Sequence, residues 1–188
     1  MSKVMAILFF ILLASPVLAD QETLIPDGLG SPDTWAFNTT GKVADVTDGV
    51  DGQYIFEVTD EDDQRFTLSN TTLPSDATID SFRVQWRAQD NGSGNNRVQV
   101  KVFSGSNSCD GINQALTTSF VNYQVPLLFT ATGTGCDGSL TKTILDAMEV
   151  EFDCTSIGAS RENRVTEVEV FVFFTPLATG APQIIIID

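Results

Sequence analysis

Polar and apolar positions take turns along most of this chain. Phe82, Val84, Trp86 and Ala88 share one parity, and Arg83, Gln85, Arg87 and Gln89 share the other. The same period of two runs through Val98, Val100 and Val102 against Arg97, Gln99 and Lys101. It continues through Val121, Tyr123, Val125, Leu127 and Phe129, and through Val168, Val170, Val172 and Phe174 against Glu167 and Glu169. Successive side chains of a strand point to opposite faces, so each segment predicts a half-buried strand. Shorter strands are expected at residues 54–58 and 65–69. Turn clusters separate them, among them Asp48-Gly49, Asp51-Gly52, Asn91-Gly92-Ser93-Gly94 and Gly105-Ser106-Asn107. One stretch departs from the alternation. Leu140, Ile144, Leu145 and Met148 recur with helical spacing, which predicts a short helix within residues 139–148 with Ser139 as its N-cap. Period two resumes at Val150 and Phe152. Many short strands around one helix predict an all-β fold, an antiparallel, jelly-roll-like β-sandwich.

The two ends break the pattern differently. Lys3 precedes a ten-residue apolar run, Val4 to Leu13, and Val17 and Ala19 place small residues where a signal peptidase reads. The run is too short to span a bilayer. Residues 1–19 therefore read as a signal peptide, residues 20–176 as the sandwich, and residues 177–188 as a hinge and C-terminal apolar strand. In that last segment Pro176 and Pro182 bracket small residues, and Ile184, Ile185, Ile186 and Ile187 follow. Four β-branched residues in a row call for cover on both faces. They are the candidate assembly strand, by which one copy adds to the sheet of the next.

Several framework motifs occur in a characteristic order: Glu22-Thr23-Leu24-Ile25-Pro26-Asp27-Gly28 with Trp35 soon after, Thr78-Ile79-Asp80-Ser81, Leu116-Thr117-Thr118-Ser119 and Val165-Thr166-Glu167-Val168-Glu169-Val170. In this the chain resembles a recurrent jelly-roll-like β-sandwich module of secreted, cell-surface and phage-associated proteins. The resemblance implies a fold. It implies no single activity and no site residues.

Charge narrows the partners. Ten basic residues against twenty-five acidic ones give a net charge of −15, a field that repels phosphate backbones, so nucleic acid is not an expected partner. No membrane span is expected after the signal is removed. Histidine is absent, which excludes Ser-His and Cys-His nucleophiles and the usual zinc ligand sets. Cys109, Cys136 and Cys154 allow one disulfide and leave one thiol over. Cys109 and Cys136 each precede Asp-Gly, which predicts loops, while Cys154 has core parity. Cys109–Cys136 is the favoured pair, and Cys109–Cys154 remains open.

Three groups of residues are candidates for chemistry. Asp45, Asp48 and Asp51, with Gly49 and Gly52, form an acidic loop of the kind that holds calcium, the one cofactor expected here. Glu149, Glu151 and Asp153 share one strand face, but their order differs from the Glu-x-Asp-x-x-Glu of jelly-roll glucanases, and no enzyme activity is expected. Trp35, Tyr54, Phe103, Phe171 and Phe173 are candidate outward rings for glycans. Arg83 and Arg87 against Glu167 and Glu169 predict cross-strand ion pairs. The leading expectation is a non-enzymatic extracellular structural or adhesive subunit, a homo-oligomer or polymer joined through Ile184–Ile187 into a fibre or surface layer. The alternative is a secreted carbohydrate-binding module.

Overall fold

The computed structural model describes residues 19–39, 41–58, 62–92, 96–105, 107–127, 140–156 and 162–176. Residues 1–18, most of the expected signal peptide, together with Cys136, Ser139 and the tail from residue 177, lie outside the described residues.

In chain order the elements are β1 (Asp20–Leu24), β2 (Pro26–Asp33), β3 (Ala36–Phe37), α1 (Lys42–Asp45), β4 (Ile55–Glu57), β5 (Asp63–Leu68), β6 (Thr78–Asp90), β7 (Arg97–Ser104), β8 (Asn107–Ala115), β9 (Val121–Leu127), α2 (Lys142–Asp146), β10 (Met148–Ser156) and β11 (Asn163–Thr175). They build two sheets. One has the order β3-β4-β11-β6-β9, with β1 also beside β11; the other runs β2-β5-β10-β7-β8. Every pairing is antiparallel. This is the jelly-roll-like sandwich that the alternation predicts.

The apolar parity of each strand meets the other sheet. Val84, Trp86 and Ala88 of β6, Val98, Val100 and Val102 of β7, and Val168, Val170 and Val172 of β11 are fully buried. Phe152 lies at the centre, its ring 6.3 Å from Trp35, 6.5 Å from Phe66 and 6.3 Å from Trp86. Trp35 is thus a core residue, not an outward ring. Its indole N–H donates to the Asp62 carbonyl at 2.9 Å, which satisfies the one polar group it buries.

Two other expectations need correction. Thr141 caps α2, its hydroxyl accepting from the Ile144 N–H at 3.3 Å, so the helix starts after Ser139. A second helical turn, α1, lacks an apolar repeat of its own and escapes a periodicity search. Cys109 sits on β8, opposite Val102, and is buried. The Cys-Asp-Gly turn signal fails there because β8 is an edge strand, paired on one side only, where Gly and Asp interrupt a ladder at low cost.

The long strand β11 carries an irregularity. Its register against β6 shifts between Val165 and Glu167. The extra residue, Thr166, is buried out of phase, and its hydroxyl donates to the Val50 carbonyl at 2.7 Å. The Val168 N–H donates to the Val46 carbonyl at 2.9 Å. Residues 46–53 are therefore strapped against β11 where neither β4 nor β1 pairs with it.

Candidate functional site

The acidic loop is that strap, and its three aspartates go separate ways. Asp45 is fully buried and accepts from the Thr39 hydroxyl and, at 3.3 Å, the Thr39 N–H. Asp48 closes a local turn by accepting from the Val50 N–H at 2.9 Å. Asp51 reaches across the outer face of the first sheet to Arg87, which grips it through Nε at 2.6 Å and a second nitrogen at 2.8 Å. That two-pronged contact holds the Asp51 carboxyl below its usual range. Among the described residues no three acidic or thiol side chains converge as a metal site requires.

The acidic strand face of β10 lies between β5 and β7, and cations from both neighbours fold over it. Arg65 donates to Glu151 at 2.9 and 2.5 Å and to Glu149 at 3.3 Å, with its guanidinium 3.7 Å from the centre of the Phe103 ring. Gly30 of β2 leaves room for this, since a Cβ there would stand 2.8 Å from the Arg65 stem. Lys101 lies 2.6 Å from Asp153 and 3.7 Å from Glu151. Glu151 is thereby buried and Phe103 is covered. Asp63 stands directly opposite Asp153. Burial, reinforced by the charges of Glu151 and Asp153, pushes its carboxyl up to about 6. Arg65 and Lys101 thus pair with Glu149, Glu151 and Asp153, while Asp63 Oδ1 stays buried without a hydrogen bond.

The outer face of the first sheet has a different character. The Gln124 amide donates to Gln85 at 2.9 Å, and the Gln85 amide donates to Glu169 at 3.3 Å, so a polar row crosses β9, β6 and β11. Burial, with help from Glu167, pushes the Glu169 carboxyl up from its usual value. Aromatic rings flank this row on both sides. Toward one end Tyr54 sits 6.0 Å from Phe56 and 6.4 Å from Phe120, with the Arg164 guanidinium 4.5 Å from its ring centre. Toward the other end Phe171 and Phe173 project from β11, both half-buried. Arg83 lies over them, 4.8 and 5.6 Å from the two ring centres.

β6 and β11 do pair, with Glu167 opposite Arg87 and Phe171 opposite Arg83. The expected arginine–glutamate ion pairs nevertheless do not form. Asp51 takes Arg87, and phenyl rings take Arg83. Sequence parity set the outward direction of both arginines but gave no sign of the strap, which approaches from a distant loop. Phe56 and Phe120 also went unnoticed, being single aromatics at a strand and a loop.

Cys154 is buried on β10 opposite Val98, and Cys109 lies on β8 opposite Val102, with β7 between them. Two strand spacings already amount to roughly 9–10 Å, beyond the ~7 Å that a disulfide spans between Cα atoms. Ile184–Ile187 belong to the segment outside the described residues.

No family model matches the chain, and no curated protein matches it. Solved structures with a similar course include the CBM36-1 domain of a multidomain xylanase from the hindgut metagenome of Trinervitermes trinervoides, at 12% identity and a TM-score of 0.40, covering 88% of this chain and 100% of that one. A mutant of a carbohydrate binding module family 29 has 10% identity and a TM-score of 0.43, covering 89% and 100%. A family two carbohydrate esterase from Cellvibrio japonicus has 11% identity and a TM-score of 0.38, covering 88% of this chain and 38% of its own. At these scores no residue, ligand or activity is carried across.

Proposed function

We propose that this protein is an exported, non-catalytic glycan-binding module whose site is the outer face of the sheet β3-β4-β11-β6-β9. The observation that carries the reading is the row Gln124–Gln85–Glu169 set between two groups of half-exposed rings. A sugar ring presents C–H groups on its faces and hydroxyls at its rim. Rings receive the first, and amides and carboxylates receive the second. The acidic face of the second sheet is less suited, because Arg65 and Lys101 already occupy Glu149, Glu151 and Asp153. Electrophoresis of the protein through gels containing soluble xylan, mannan, β-glucan or polygalacturonate tests the proposal. Retardation by at least one polymer is expected, with Tyr54→Ala and Gln85→Ala each weakening it by about ten-fold or more. Unchanged mobility in every gel would overturn the reading.

The same reading includes a Cys109–Cys136 bridge, supported by the separation of Cys109 from Cys154. Peptide mapping under non-reducing conditions should recover the 109–136 pair, and recovery of Cys109 joined to Cys154 would refute it.

A further inference from the structure

We propose that Arg83 forms an anion-recognising subsite, so that the glycan received by this face is an acidic one, bearing a carboxylate or sulfate. The inference rests on the glycan-binding reading and names its ligand class. Lys42, Arg65, Arg87, Lys101, Lys142 and Arg164 each hold a carboxylate. Arg97 donates to the Asn113 carbonyl at 3.1 Å. Arg83 has neither kind of partner among the described residues, and its Nε is buried without a hydrogen bond. In a chain of net charge −15, acceptors for an arginine are plentiful, so an arginine left without one is conspicuous.

The guanidinium is held all the same. Phe171 stands directly across the strand pair from it, and Phe173 lies one same-face position further along β11. Its guanidinium carbon lies over both rings, at 4.8 and 5.6 Å from their centres, contacts that hold it in place without using its donors. Glu169, the nearest acid along that face of β11, is engaged by Gln85 instead. A guanidinium stays charged at any working pH and presents a planar fork that matches a carboxylate or sulfate. The net negative field of the protein disfavours loose anion binding. What Arg83 accepts must therefore be recognised locally, beside the polar row that would hold the rest of the sugar.

Affinity electrophoresis with matched polymers tests this. Polygalacturonate supplies carboxylates, and its carboxyl-reduced form is the neutral control; dextran sulfate supplies sulfates, and dextran is its control. The protein is expected to be retarded by one acidic polymer at least about ten-fold more strongly than by its neutral counterpart. Which polymer wins identifies the anion. Arg83→Gln should abolish that preference, and Arg83→Lys, which keeps the charge but loses the fork, should retain part of it. Thermal melts should show both variants folded, since the Arg83 side chain makes no hydrogen bond among the described residues. Equal retardation by acidic and neutral polymers, or a preference that survives Arg83→Gln, would overturn the subsite and leave the glycan reading standing. Failure to bind any of the four polymers, or those of the earlier panel, would overturn both.

Discussion

Asp63 shows how one side chain ties charge to stability. Its carboxyl titrates at about 6, against about 3.9 for an unfolded chain. The folded state thus holds the proton more tightly. The contribution of this group to stability is present at low pH and is lost as pH rises from about 4 to about 6. The groups facing it are Glu151 and Asp153 on β10 and Lys101 on β7. Asp63→Asn removes the titration but keeps the backbone carbonyl that accepts from the N–H and hydroxyl of Thr34. Urea unfolding should show a gain on the order of 1 kcal/mol at pH 7, shrinking toward zero at pH 4. Phe152 is the opposite case, a residue whose contribution is pure packing among Trp35, Phe66 and Trp86. Phe152→Ala should cost about 3–5 kcal/mol in the same assay at any pH. That core was legible from parity, except Trp35, which lies on no alternating run. The buried Asp45 and the half-buried Glu22 were not legible. Glu22 anchors β1 by accepting from Thr71 and from Thr72, contacts that bridge about fifty positions of sequence.

At the scale of elements, the strap over residues 46–53 differs most from expectation. Its composition suits a cation loop, yet its carboxylates bind a hydroxyl, a backbone N–H and a guanidinium of the same chain. Melting temperature is therefore expected to be unchanged by a chelator; a fall would show that calcium holds the loop. Asp51→Asn should cost no more than about 1 kcal/mol, because the pair is exposed, while hydrogen exchange quickens locally at residues 47–53. The long strands could be read directly because β6 from Phe82, β7 from Val98 and β11 from Val168 keep alternate residues in the core. β1, β2 and β8 could not, since edge and partly exposed strands need no strict alternation. Their sequences include Pro26, Gly28, Gly30, Pro32 and Gly111. What makes the candidate site is equally illegible. Rings from β4, from β11 and from the approach to β9 meet only because antiparallel pairing brings residues 54, 120 and 171 onto one surface.

One border of each sheet resists extension. β2 borders the second sheet with two prolines, and Pro126 lies in β9, one border of the first. A proline offers no N–H to an incoming strand. Equilibrium sedimentation is accordingly expected to give the mass of one chain, and a mass that fell from several chains to one on removing residues 177–188 would restore assembly through the isoleucines. The connectivity has a temporal side as well. β11, the last of the described strands, lies between β6 on one side and both β1 and β4 on the other, and Asp20 stands opposite Phe174. Until residues 163–175 emerge, β1 and β4 have no central strand to join and the first sheet cannot close. A ribosome or a translocation channel that still holds residues 163–175 holds back the joining of β1 and β4 to β6 through their shared central strand.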